Sequence, residues 1–426
     1  MRTAVVILNW NTRDYLERFL PPLLDSLQGL DAGVVVADNA STDGSRELLA
    51  RRFPNVRTIL FDENYGFTGG YNRAFAELLG DSPIKSANDE ACRASASCRA
   101  EQKLVFRDTS RNEVTQGVRG ERPPVIESGR PQGEGKPEYL VLLNSDIEVQ
   151  GGWLEPLVGW MDAHPDYAAC GPRLHALEPD GKEYRRTDRF EYAGAAGGYL
   201  DRYGFPFCRG RVLSRTEQDN GQYDRPADVL WATGACLLVR VSAWHELGGL
   251  DERFFAHMEE IDWCWRAWLA GWRVGVVPQS CVWHLGGGTL APSSPLKLKL
   301  NYRNGLLLLE NNLPATLGPA RAHRRICIRK ILDSCAAIVY LLSGKADCAR
   351  AVRDAHREYR QLRGTPGTKS APSVPGSPQN TIPGTKAGPG VPGKSVAGLW
   401  NVWILLQAAL RGEKIFKYVR RYEDSH

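Results

Sequence analysis

The chain predicts an α/β fold in which a mostly parallel sheet is flanked by helices, and three observations carry that expectation. Short, almost continuous apolar runs of strand length recur along it. They alternate with amphipathic, helix-length segments, the pattern of buried strands joined by βα crossovers. Polar residues gather just past the strands, at Asn9-Trp10-Asn11, Asp38-Asn39 and Asn144-Ser145-Asp146, where open sheets of this kind bind ligands.

The elements follow in order. "AVVILNW" is a first strand: its apolar run is too short for a signal peptide, breaks at Asn9, and has no small-residue cleavage site after it. Leu16, Phe19, Leu20, Leu23, Leu24 and Leu27 mark an amphipathic helix, and "GVVVADNAS" is the second strand. "STDGSRELLARRF" supplies a turn and helix, "VRTILFD" a third strand, "GGYNRAFAELL" a helix and "YLVLLNSDIEV" the next strand. Later, Ile261, Trp265, Trp268, Leu269 and Trp272 form one face of a helix beginning near "FAHMEEID". Glu259, Asp262 and Arg266 share another face, with Asp262 and Arg266 spaced to pair.

Two segments break the pattern. Residues 81–137 and the Pro/Gly/Ser/Thr-rich 364–396 have too few large apolar side chains to pack, so both are expected to be disordered. The domain expectation is a body over 1–312, a helical extension over 313–363, a linker over 364–396 and a basic amphipathic helix over 397–426. The basic, Trp- and Tyr-bearing C-terminal pieces suit two roles, a peripheral contact with an anionic membrane surface or packing on the body.

Composition narrows the class. The chain is 42% hydrophobic and 24% charged, which is ordinary for a globular protein, and a net charge of +5 gives no argument for nucleic acid. Its 10 cysteines form no C-x-x-C pair, so they read as small buried hydrophobes in a reducing, cytoplasmic setting. No apolar run approaches the ~18–20 residues of a spanning helix.

Several polar groups have the chemistry of a site, and each has a plainer reading. Asp146 after an apolar strand suits a hard divalent cation, or an Asx turn. Asp38 can accept from a pyrimidine N3–H, or belong to a helix cap with Ser41 or Thr42. "NYGFTGGYN", with Asn64, Gly66, Gly70 and Asn72, allows close backbone approach and an anion at a helix start, but is no dinucleotide fingerprint. His284, before three glycines, is either structural or a metal ligand beside Asp146. Acids in the first turn of the Glu259 helix complement its dipole even if they do nothing else.

Taken together and in order, "VILNWN", "VVADNASTDGS", "DENYGFTGGYN", "YLVLLNSDIEV", "WATGACLLVR", "GGLDERFFAHMEEIDWCWR" and "VWHLGGGT" closely resemble the family 2 glycosyltransferases of GT-A fold, in particular the rhamnosyltransferase-like branch. The resemblance spans about residues 3–312, apart from 81–137. It implies an inverting, metal-dependent transfer of a sugar, rhamnose at family level, from a nucleotide-sugar donor to a hydroxyl of a cell-surface glycan or lipid-linked acceptor. It implies a divalent cation (Mg²⁺ or Mn²⁺) on Asp146 and His284, and a donor site from Asn9, Asn11, Asp38, Asn39, Asn64, Gly66, Gly70, Asn72, Asn144 and Ser145. It implies an acceptor side at Trp231, Gly234 and Ala235, and a general base at Glu260 with Glu259 and Asp262 beside it. Two positions depart from the family pattern. The metal triplet starts with Asn144 where stricter members have Asp, and the base is Glu260 where Asp is usual. The rival expectation is a catalytically inactive nucleotide-sugar-binding scaffold of an assembly complex.

Overall fold

A computed structural model of the chain describes residues 1–81, 135–286, 294–365, 367 and 396–425. The expectations for the 81–137 insertion and the 364–396 linker therefore fall almost wholly outside the described residues.

In chain order the first half runs β1 (Thr3–Asn9), α1 (Arg13–Ser26), β2 (Ala32–Asp38), α2 (Ser45–Arg52), β3 (Arg57–Leu60), α3 (Gly66–Leu79), β4 (Tyr139–Leu143), β5 (Ile147–Glu148), α4 (Glu155–Ala163), β6 (Tyr167–Asp180) and β7 (Glu183–Phe190). Four short strands follow: β8 (Gly198–Leu200), β9 (Pro206–Cys208), β10 (Arg211–Val212) and β11 (Arg215–Thr216). Then come β12 (Ala227–Asp228), β13 (Cys236–Arg240), α5 (Val241–Leu247), α6 (Glu259–Ala270) and β14 (Arg273–His284). The chain closes with α7 (Pro295–Leu317), α8 (Pro319–Leu342), α9 (Ala346–Leu362), α10 (Ile404–Arg411) and α11 (Ile415–Glu423).

The main sheet has the order β12-β14-β6-β13-β4-β1-β2-β3. β4, β1, β2 and β3 are mutually parallel, as are β6 and β14, while β13 lies antiparallel between β4 and β6. The sheet is thus mostly parallel, with a central antiparallel strand that the sequence pattern alone does not mark. Apolar runs are continuous because successive side chains enter two cores. On β1, Ala4 and Val6 face the core of Tyr71 and Phe75 from α3, whereas Val5 and Ile7 face that of Leu16, Leu20 and Leu23 from α1.

The expected boundary after residue 312 falls inside α7, which runs on without a break. The C-terminal segment packs on the body. Trp400 is buried, its ring stacked 4.8 Å from Tyr199 of β8 and 4.2 Å from Tyr422. Ile404, Ile415, Phe416 and Val419 are buried with it. Apolar side chains are instead exposed on the last turns of α8, at Ile338, Val339, Leu341 and Leu342. Among the described residues no helix is long and apolar enough to cross a membrane.

Candidate active site

The carboxyl ends of β1, β2 and β4 and the first turn of α6 surround one cavity of about 390 Å³. Side chains from the loop after β7 and from the small β8–β11 sheet close its far wall.

The end beneath β1 and β2 is a saturated hydrogen-bond network. Asp38 is fully buried; its carboxylate accepts from Asn9 Nδ2 (2.8 Å), the Ser41 amide (3.0 Å) and Arg46 Nε (2.5 Å). Asn9 accepts in turn from Thr12 Oγ1, and Asn11 accepts from the Thr42 amide. Asn39 reaches the cavity wall, donating to Asn64 Oδ1 and the Gly66 carbonyl. Gly66 has φ +69°, and a β-carbon there would come within 2.8 Å of the Phe255 carbonyl, so that close passage requires glycine.

Not every expected donor residue lines the cavity. Asn9, Asn11 and Asp38 stand behind its wall. Gly70 packs against Leu8, where a β-carbon would lie 2.6 Å from the leucine side chain. Asn72 ties α3 to the loop before α6 by exchanging two hydrogen bonds with the backbone of Leu250. These two positions hold elements together.

Asn144, Ser145 and Asp146 line the cavity, and the Asn144 amide donates to the Ala235 carbonyl, so the triplet lies beside the turn containing Gly234 and Ala235. Trp231, also on the wall, is fixed by its indole N–H to the Tyr199 carbonyl. Asp146 Oδ1 sits 3.2 Å from His284 Nε2, and His284 Nδ1 sits 3.2 Å from Glu191 Oε2. Burial disfavours the imidazolium, but the flanking Asp146 and Glu191 charges outweigh it and hold the His284 pKa well above its ordinary value. Burial likewise works against the Asp146 charge, and His284 overcomes it, leaving the Asp146 pKa lowered. Among the described residues no cluster of three or more His, Cys, Asp and Glu is arranged to hold a metal ion. One carboxylate and one imidazole meeting at the cavity are donor types that would suit a small divalent cation.

The three acids of α6 separate sharply. Asp262 is completely buried away from the cavity, bonded to Arg266 at 2.8 Å and to the Asn311 and Asn312 amides at 2.9 Å each, so it anchors the helix. Glu259 and Glu260 line the cavity. Burial raises the Glu260 pKa, against the opposing effect of amide donors that include Gly234. Burial and the neighbouring Glu260 charge push Glu259 well above the carboxylate range. Glu259 Oε2 has no hydrogen-bond partner among the described residues.

The loop entering α6 is strained. Phe255, His257 and Met258 have φ of +61°, +72° and +70°, a region costly for residues with a β-carbon. Asn304 of α7 clamps it: its side-chain amide donates to the carbonyls of Phe254 (3.0 Å), Ala256 (2.8 Å) and His257 (2.7 Å). Arg303 adds a bond to Phe254 and pairs with Glu358 of α9.

Sequence reasoning missed Glu191, Arg211, His257, Lys297 and Asn304. A carboxylate directly after a strand was a weak available signal for Glu191. Nothing local distinguished the others: His257 and Asn304 meet across 47 residues of chain, and the burial of Arg211 and Lys297 is set by the fold.

Two family models match the chain: Glycosyl transferase family 2 over residues 4–84, and Glycosyl transferase family group 2 over residues 197–339. The N-acetylglucosaminyl-diphospho-decaprenol L-rhamnosyltransferase of Mycobacterium tuberculosis is 27% identical over 284 residues, 66% of this chain and 75% of that protein. The pre-mycofactocin glycosyltransferase of the same organism is 28% identical over 151 residues, 34% of this chain and 27% of that protein. A solved structure, GalNAc-T7 with UDP, GalNAc and Mn²⁺, aligns at TM-score 0.47 and 16% identity over 73% of this chain and 48% of its own.

Proposed function

Because the chain belongs to the family 2 glycosyltransferases, we propose that it transfers a sugar with inversion from a nucleotide-sugar donor to a hydroxyl of a glycan or lipid-linked saccharide. The observation that carries this reading is that Glu260 shares one cavity with Asp146 and His284. The base expected on the acceptor side and the groups expected on the donor side thus line the same space. The relative from Mycobacterium tuberculosis supports rhamnose as the sugar and a diphospho-polyprenol saccharide as the acceptor. Work at the cytoplasmic face of a membrane is the setting that goes with such an acceptor.

Glu260 takes the proton of the acceptor hydroxyl while that oxygen attacks the anomeric carbon. The bond from the anomeric carbon to the diphosphate oxygen breaks, and the nucleoside diphosphate leaves with the electron pair. A raised carboxyl pKa brings the base nearer the working pH, which favours proton uptake. The intrinsic pKa of Glu is similar to that of the Asp usual at this position in the family. Asp146 and His284 are the residues that would hold a divalent cation, Mg²⁺ or Mn²⁺, whose contribution when bound is positive charge beside the diphosphate. Trp231, on the cavity wall, helps to keep the acceptor side dry.

The test combines donor binding and rate. Glu260→Gln should lower turnover roughly 10²–10⁴-fold while nucleotide-sugar affinity, titrated with and without Mn²⁺, stays unchanged. Asp146→Asn should weaken the Mn²⁺-dependent part of donor binding as well as the rate, and His284→Ala should do so more mildly. Near wild-type turnover in Glu260→Gln would move the base to Glu259. Tight nucleotide-sugar binding by the wild-type protein, with no transfer to any acceptor, would favour the scaffold reading.

A further inference from the structure

We propose that Arg211 and Lys297 form a subsite for a phosphate-class anion in the cavity, and that it takes the diphosphate of the acceptor; the choice of acceptor rests on the function proposed above. Arg211 opens β10, is 5% exposed, and lines the cavity. Its guanidinium donates to the Pro206 carbonyl at 3.1 Å, lies 3.2 Å from Cys208 Sγ, and sits 4.9 Å from the centre of the Tyr192 ring. Its Nε has no hydrogen-bond partner, and no carboxylate pairs with it among the described residues. The other buried arginines are built differently. Arg209, Arg266, Arg303 and Arg329 face Glu423, Asp262, Glu358 and Asp333 at 2.9, 2.8, 3.4 and 2.8 Å. A guanidinium held out of water without a counter-charge is costly, and an arriving anion removes that cost. Its planar fork suits phosphate oxygens.

Lys297, in the first turn of α7, adds a second cation to the same cavity without an ion-pair partner among the described residues. Burial lowers its pKa, and the Glu191 charge opposes that shift. The position favours the acceptor. Arg211 belongs to the β8–β11 sheet, whose Gly198 bridges Trp231 on the expected acceptor side. Arg211 therefore reaches the cavity from the elements on the acceptor side, and not from the strand end that carries the Asn144-Ser145-Asp146 triplet.

A diphosphate can arrive on either substrate, so the experiment uses a probe for each. Binding of farnesyl diphosphate and of dTDP to the full-length protein is measured by calorimetry, with a melting curve for every variant. Farnesyl diphosphate should bind the wild type and weaken with added salt. Lys297→Gln and Arg211→Gln should each reduce its affinity about tenfold or more, the loss expected for a charged hydrogen bond. Lys297→Arg should restore it, and dTDP affinity should change less than twofold throughout. Should dTDP lose affinity while farnesyl diphosphate does not, the cations serve the donor and the proposal is wrong. Unchanged binding of both probes would equally overturn it. If Arg211→Gln melts early, Lys297→Gln decides. A protein that binds both probes as expected but transfers no sugar supports the subsite and refutes the transfer.

Discussion

At the strand-end side of the cavity Asp38 accepts from three donors, and Asn39 uses its whole amide on Asn64, Gly66 and Tyr65. At the opposite side, Glu259 Oε2, His257 Nε2 and Arg211 Nε are buried with no hydrogen-bond partner among the described residues. Positive φ does not separate the two sides: Phe255, His257 and Met258 have it here, and Asn11 and Ala40 have it at the strand ends. The supports differ as well. The strand-end side is built from segments within the first 80 residues and the adjoining β4. The other side leans on α7, α9 and the C-terminal segment, through Asn304, Glu358 and Trp400. One side has its polar groups satisfied in advance and holds shape. The other keeps polar groups unsatisfied, as a place where ligand contacts are still to be made.

The largest expected effect comes from cutting the remote support. Trp400→Ala should cost about 3–5 kcal/mol in urea unfolding, since a large buried ring is lost from between Tyr199 and Tyr422. In the folded fraction, acceptor KM should rise while dTDP affinity is kept. Equal loss at both sides would erase the contrast. Next, Asn304→Ala should cost about 1–3 kcal/mol, because the carbonyls of Phe254, Ala256 and His257 lose a buried donor. Its turnover should fall more than its nucleotide affinity.

A subtler effect is in the pH dependence of stability. The Glu259 pKa is raised in the folded protein, so the folded state retains a proton that the unfolded chain gives up near pH 4.5. The stability held through that proton is fully present at acid pH and declines as pH rises through the folded pKa. Glu259→Gln should therefore match the wild type in acid and become progressively more stable than it towards neutral pH. A constant difference at all pH values would mean that Glu259 is not held neutral. The smallest effect concerns residues 82–134. Their flanks meet, with Lys136 Nζ 3.5 Å from Asp81 Oδ1, so a short Gly/Ser replacement should close without strain and leave the melting temperature and dTDP affinity within error. Loss of soluble protein would show that the insertion contributes to the body.

The polar landmarks read from the sequence divide by distance along the chain. Asn39, Asn64, Gly66, Asn144, Ser145, Asp146, Glu260 and His284 reach the cavity, because each follows a strand end or opens a helix, and local pattern locates such positions. Asp262 does not, although it is two residues from Glu260, because about half a turn of helix points it at Arg266 and Asn312. The C-terminal helices were legible as amphipathic, but an apolar face with basic flanks is the same pattern whether it meets lipid or protein.

By itself the sequence determined the alternation of strands and helices, the two-faced burial of β1 and β2, and the order of polar turns along the sheet edge. These depend on residues a few positions apart, where periodicity and turn chemistry act directly. Only the tertiary structure decided that β13 runs antiparallel inside the sheet, that Asn304 holds the strained loop before α6, and that Arg211 is buried without a carboxylate. A side chain's burial and its charge partner are set by contacts between segments tens to hundreds of residues apart, and no local pattern records which segments those are.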